Sequence, residues 1–175
     1  FPFDGTSVGC TVPSGWTAIT DNISQANFNL GAYYKIAASG SETSGTWTGC
    51  DGLTVIVLRA PAPTPFGNVE GQTGSGAGVA YPANALTVTG GTSWVIGIGC
   101  IRSANDATFA AAAPTGMTNR TGSSGSTGAC SLSTQASVAS WSAQTVTAAS
   151  GGRNGAFVIE VQDGSLSNVL TMNPL

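Results

Sequence analysis

Hydrophobic positions along this chain recur with a period of two, and a helical period is scarce. Phe28, Leu30, Ala32, Tyr34 and Ile36 alternate with Asn29, Gly31, Tyr33 and Lys35. Such alternation sends one set of side chains to a buried face and predicts a half-buried strand. Leu53 to Arg59 is apolar on both faces and reads as a central strand. Ala85 to Thr89 is a short further candidate. Trp94, Ile96, Ile98 and Cys100 share one face of the next strand, with Gly97 and Gly99 between them. Thr134 to Thr147 reads as strands with a break near Ser140. Phe157, Ile159 and Val161 form one face of a last long strand. Asn154-Gly155 predicts a tight turn before it, with Arg153, Asn154 and Gly155 as a hairpin tip. The one helical signal, Ala107 to Ala113, is stopped by Pro114, so a single turn at most is expected.

The stretch 61–82 holds Pro61, Pro63, Pro65 and Pro82 among many glycines, and reads as a linker or long crossover. It separates a first half, about 1–60, from a second, about 83–175, within one domain. The halves resemble each other. Pro13, Gly15 and Thr17 match Pro114, Gly116 and Thr118 at an offset of about 101 residues, and each element precedes an apolar strand some 40 residues on. The expected fold is all-β: a two-sheet antiparallel β-sandwich, jelly-roll-like, with pseudo-repeated halves. In the second half a strand precedes the Pro-x-Gly element. Its counterpart in the first half would lie before Phe1, so a first strand is expected to be missing, cut off or supplied by another chain.

Composition narrows the function classes. Charged residues make up 7% of the chain against 41% hydrophobic, so Ser, Thr, Asn, Gln and Gly must cover the surface. The net charge is −3, and the basic residues Lys35, Arg59, Arg102, Arg120 and Arg153 are scattered. No basic patch forms to neutralise phosphates, which argues against nucleic-acid binding and against docking on an anionic membrane. No apolar run is long enough for membrane insertion as a helix. The first residue is Phe1, which fits a removed leader or numbering that begins inside a longer protein. Histidine is absent, which removes the usual catalytic triads and most metal sites. No spacing singles out a catalytic pair among Asp4, Asp21, Glu42, Asp51, Glu70, Asp106, Glu160 and Asp163. The expectation is therefore no enzyme activity, no cofactor and no metal.

Cys10, Cys50, Cys100 and Cys130 contain no C-x-x-C pair. Disulfides are the better reading, with buried free thiols as the alternative. Pairing of local neighbours favours Cys10–Cys50 and Cys100–Cys130. Each would stabilise the fold by about 3–4 kcal/mol through loop closure and would imply an oxidising environment. Among the aromatics, Trp16, Trp94 and Trp141 are expected in the core. Trp47 beside the Gly49–Gly52 turn, Tyr33 on the outward face of its strand, and Tyr81 in the crossover are the candidate ligand-binding residues, with Tyr81 the best exposed candidate. The glycosylation sequons at Asn22 and Asn119 carry weight only for a eukaryotic source.

One resemblance covers most of the chain. Val12 to Ile19 contains Pro13-Ser-Gly-Trp16. Ala32 to Ala37 follows, with Tyr33, Lys35 and Ala37 in place, then Gly40 to Thr43 and Thr46 to Thr48. This order resembles β-sandwich domains of bacteriophage virion structural proteins with a Pro-x-Gly-Trp, Tyr-x-Lys-x-Ala, Gly-x-Glu signature. Pro114 to Arg120, Trp141 and Phe157 to Ile159 are similar to their C-terminal half. Family members occur in tail fibres, head fibres and capsid-surface proteins, and often carry a strand before the Pro-x-Gly-Trp element. The four cysteines depart from that pattern. The resemblance implies a non-enzymatic structural or decoration protein at the virion surface or extracellular, associating with itself or with capsid or tail subunits. Two alternatives stand beside it: a host-recognition module of a tail fibre or adhesin that binds surface glycan, and a subunit of a secreted filament.

Overall fold

The computed structural model describes residues 1–6, 8–58, 65–87, 93–103, 106–162 and 170–171. Its strands run β1 Pro2–Asp4, β2 Thr17–Ala18, β3 Ile23–Gln25, β4 Phe28–Leu30, β5 Tyr33–Tyr34, β6 Gly52–Leu53 and β7 Val57–Leu58. They continue with β8 Phe66–Tyr81, β9 Ser93–Arg102, β10 Thr118–Ser124, β11 Ala129–Val138, β12 Gln144–Val161 and β13 Leu170–Thr171. One short helix, α1 Ala107–Ala110, lies between β9 and β10. The large sheet has five strands in the order β10-β11-β9-β12-β8, and the small one four in the order β3-β4-β1-β6. Every pairing is antiparallel. The chain is an all-β antiparallel sandwich.

The large sheet is buried on both faces. Alternation along β9 and β12 sends Trp94, Ile96, Ile98, Cys100, Phe157, Ile159 and Val161 to one side. There they meet Phe1, Phe3, Phe28, Leu30 and Ala32 of the small sheet. The intervening Val95, Ile101, Ala156 and Val158 face the other side. There they pack with Val79, Tyr81, Phe109, Met117 and Trp141 beneath α1 and its flanking loops. Each large apolar side chain removed from water on either face contributes about 1.5–3 kcal/mol. Gln25 ties the sheets together: its Nε2 donates to the carbonyls of Gly74 (2.6 Å) and Asn154 (2.9 Å). The helix is one turn, as expected. Asp106 caps it by accepting from the Phe109 N–H at 2.8 Å.

The cysteines pair as Cys10–Cys50 and Cys100–Cys130. The second bridge lies on the first core face between directly paired residues of β9 and β11.

Several expected elements differ. The strand expected over Phe28 to Ile36 is broken into β4 and β5. Its inner positions Phe28, Leu30 and Ala32 are buried, while Ile36 is 74% exposed. Leu53 to Arg59 is not one central strand. β6 lies at the edge of the small sheet and β7 pairs with β13, leaving Val57 42% exposed; Arg59 lies outside the described residues. Ala85, Leu86 and Thr87 form no strand, and the rest of that candidate also lies outside.

The expected linker over 61–82 is largely β8, a 16-residue edge strand. Gly67 and Gly71 serve close packing, and Gly76 supplies a left-handed φ. A Cβ on Gly71 would lie 2.7 Å from Phe157 and 2.8 Å from Ile23. Asn154-Gly155 is not a turn either but the interior of the 18-residue β12. Asn154 is buried, and its Nδ2 donates to Gly76 O at 3.1 Å. Gly155 has Gln72 O and the Phe28 ring 2.9 Å from where a Cβ would sit. Residues 148–151 fall at a register shift between β12 and β8, which lets one strand run past the break. The likeness of the two halves has no counterpart in strand length. Up to β7 each strand has two or three residues, whereas β8 to β12 have seven to eighteen. A short strand, β1, precedes the Pro-x-Gly-Trp element.

Candidate functional site

Residues 9–20 and 33–53 form a lobe at the side of the small sheet. Its residues are exposed or half-buried, so its loops need fasteners. Cys10–Cys50 is one, and the Thr11 N–H donating to Thr48 O at 2.8 Å is another. The third is the β2–β5 pairing, Thr17 opposite Tyr34 and Ala18 opposite Tyr33. Gly15 adopts a left-handed φ of 86°, which a side chain would strain. That turn delivers Trp16 to the lobe's surface.

Trp16, Tyr33 and Trp47 meet there. The Trp16 and Trp47 ring centroids are 5.3 Å apart, those of Tyr33 and Trp47 are 5.7 Å apart, and both pairs are edge to face. This is a favoured aromatic geometry, worth about 0.5–1.5 kcal/mol per pair beyond area burial. Both indole N–H groups donate to one carbonyl, Ser44 O, at 2.9 Å from Trp16 and 3.1 Å from Trp47. The Tyr33 hydroxyl donates to Asn22 Oδ1 at 3.0 Å. All three rings are half-buried. Nearby, Lys35 pairs with Glu42 at 2.5 Å. The Lys35 hydrogen bond, with help from the Ala38 N–H, holds the Glu42 carboxyl below its usual range.

Trp47 forms one wall of an open groove of about 400 Å³, floored by the chain at 44–46 and 50–53. Asp51 is the one charged residue lining it. Its Oδ2 accepts from the Gly5 N–H at 2.6 Å. A second hollow, about 490 Å³, lies between α1 and β10. Its walls are mostly alanine, glycine and small polar side chains, with Arg120 bonded to Thr134 Oγ1 at 2.7 Å.

Of the expected ligand-binding residues, Trp47 and Tyr33 therefore come together, and Tyr81 does not join them. Tyr81 is fully buried in the second core, where burial pushes its phenol well above the usual range. It was expected to be exposed because 61–82 read as loop. As the end of a strand, its side chain instead turns inward over Gly97 and Gly99. Trp94 and Trp141 are core residues at 8% and 5% exposure. Trp16, expected with them, is at the surface site. The signal was present in Pro13-Ser-Gly-Trp16, a turn rather than a strand interior.

The carboxylates are used differently. Asp4 accepts from the N–H groups of Thr6 (3.0 Å) and Gly9 (3.1 Å) and from the Thr6 hydroxyl. Glu160, with no exposed surface, accepts from the N–H of Asn68 (3.0 Å) and the N–H (2.8 Å) and hydroxyl (2.7 Å) of Thr87. It also accepts from the Ser93 hydroxyl at 2.6 Å. Asp106 holds the N-terminus of α1 and also the Ser150 N–H at 3.1 Å. Burial raises the Asp106 carboxyl, but the N–H groups of Phe109, Ser150 and Ala149 and the Ser150 hydroxyl outweigh it and leave it lowered. Among the described residues no three Cys, Asp or Glu side chains converge as a metal site requires. Among them, too, no helix is long and apolar enough to cross a membrane.

No protein-family model matches the chain, and no curated protein or solved structure matches it.

Proposed function

We propose that this chain is a non-enzymatic structural or decoration component of the outer surface of a bacteriophage virion. The observation that carries the reading is the use made of its carboxylates. Asp4, Glu42, Asp51, Asp106 and Glu160 accept hydrogen bonds that fasten loops or strand ends, Glu70 accepts from Asn68 within β8, and Asp21 is exposed. A general acid or base needs a proton-transfer group free to face a substrate, and the buried Asp4, Asp106 and Glu160 are committed to the fold instead.

Three further features support the setting. All four cysteines are paired, which fits an oxidising, extracellular environment. The surface is poor in charge, so its contacts would depend little on salt. The motif order resembles phage β-sandwich domains. Contacts with further copies or with capsid or tail subunits would use the outer edges of the large sheet, β8 and β10, whose backbone can pair with another strand.

The test is the copy number of this chain in purified particles, by quantitative mass spectrometry against the major capsid protein. Hundreds of copies fit a decoration role. A few to a few dozen place it in a tail or fibre. Absence from every particle fraction refutes the virion reading.

A further inference from the structure

We propose that the groove walled by Trp47, which Trp16 and Tyr33 brace from the side, binds a neutral saccharide, with Asp51 as its polar anchor. The inference does not depend on where the protein resides. It starts from the bonding of the indoles. Both N–H groups are consumed by Ser44 O, so the polar edges of Trp16 and Trp47 point into the lobe's own backbone. With its N–H turned inward, the half-buried Trp47 offers the groove its carbon surface. Such a surface recognises a flat face of C–H groups, which one side of a pyranose ring presents.

The corner is also held before any ligand arrives. Edge-to-face contacts fix the rings against one another, and the Cys10–Cys50 bridge with the Thr11–Thr48 hydrogen bond fixes the chain beneath them. Little ordering is left to oppose binding.

Polar chemistry then selects among apolar ligands. Asp51 lines the groove beside Trp47. Only its Oδ2 is engaged, by Gly5 N, and its Oδ1 has no hydrogen bond to the described chain. A carboxylate oxygen accepts from hydroxyl groups strongly. The Arg102 guanidinium flanks Gly5 on the side of Asp51 Oδ2 but does not line the groove. Among the described lining residues Asp51 is the one charge, so an acidic sugar would meet the carboxylate first and a neutral one is preferred. A purely apolar peptide would leave Asp51 desolvated and unpaired, at a cost.

The experiment uses the full chain and a panel of neutral gluco-, manno- and galacto-configured oligosaccharides, each beside a uronic or sialylated counterpart. Binding is read by tryptophan fluorescence and confirmed by calorimetry. The expected result is a dissociation constant in the micromolar to millimolar range for at least one neutral member. Trp47→Ala should weaken it by about tenfold or more, the usual loss on truncating an aromatic anchor. Should that variant unfold, exposed Thr46→Arg supplies the test, because Thr46 lines the groove and is not one of the packed rings. Asp51→Asn should weaken binding while the thermal midpoint stays near that of the parent. The proposal is overturned if no neutral member binds the folded chain, if acidic sugars bind better, or if Thr46→Arg leaves affinity unchanged.

Discussion

Glu160 offers the sharpest test of the packing account. Its carboxylate, fully buried, collects two backbone N–H groups and two hydroxyls from three segments: Asn68 in β8, Thr87 beyond it and Ser93 at the start of β9. Replacing it by Met keeps approximate volume but leaves all four donors without their acceptor. The hydroxyls of Thr87 and Ser93 can rotate to other acceptors; the backbone N–H groups cannot. A donor left without its acceptor costs about 1–3 kcal/mol, and because both N–H bonds are only part-buried the sum for Glu160→Met should be about 3 kcal/mol. Glu160→Gln should cost far less, about 1–2 kcal/mol. Its amide oxygen can take the three donors on one side and its NH₂ can meet Ser93, so that mainly the charge assistance is lost. Gly67 gives an independent handle. A Cβ there would stand 2.6 Å from Glu160 Cδ and 2.7 Å from Thr87 Oγ1. Gly67→Ala should therefore evict the carboxylate and cost about as much as Glu160→Met, and the double variant should cost less than the sum. Urea unfolding followed by the fluorescence of the core residues Trp94 and Trp141 compares all four variants with the parent, provided the slope stays constant. A Glu160→Met variant within about 1 kcal/mol of the parent would refute the reasoning, since that is the range of an ordinary substitution.

Other outcomes follow from the same geometry. The Tyr81 hydroxyl is buried and no described group accepts or donates to it, so Tyr81→Phe should leave stability unchanged or raise it by about 1 kcal/mol in the same urea assay. A loss beyond about 1 kcal/mol would count against this. Gly152→Ala would set a methyl on the Arg102 carbonyl oxygen within the sheet, and should cost about 3 kcal/mol or prevent folding; a neutral result would mean that β12 is not paired with β9 there. The lowered Asp106 carboxyl contributes stability that is present above the ordinary carboxylate value and lost as pH falls through its lower folded value. Asp106→Asn should therefore flatten the acid limb of a stability-against-pH profile below about pH 4. An unchanged limb would remove Asp106 from that role.

Much of the large sheet was legible because alternation survives wherever a strand's two faces differ. Trp94 to Cys100 and Phe157 to Val161 lie as their pattern predicts, and local pairing of cysteines gave both bridges. Glycine misled the reading. Glycine-rich 66–81 reads as a crossover and Asn154-Gly155 as a turn, whereas Gly67, Gly71 and Gly155 stand where neighbouring side chains and carbonyls leave no room for a Cβ, and Gly76 supplies a φ of +89°. Sequence carries no mark that separates a glycine needed for φ from one needed for space. The small sheet was harder for another reason. Its strands are two or three residues long, too short for any periodicity. The surface aromatic corner was half legible. Trp47 and Tyr33 were distinguished by local context, but the partner that completes the corner, Trp16, is 31 residues from Trp47, and only tertiary structure brings them together.

The strand order has a consequence for how the chain is made. β12 lies between β9 and β8, although it is synthesised after both. A ribosome emits the chain from its N-terminus, at about 5–20 residues per second. Until residues 144–161 have emerged, β8 and β9 lack the strand that joins them, and both faces of the future sheet are open to water. The nascent protein therefore waits for its late segment, holding a glycine-rich strand with an unpaired edge. A chain ending before residue 144 would be left with that edge exposed on β8 and on β9 together, the condition under which chains pair with their neighbours instead of with themselves.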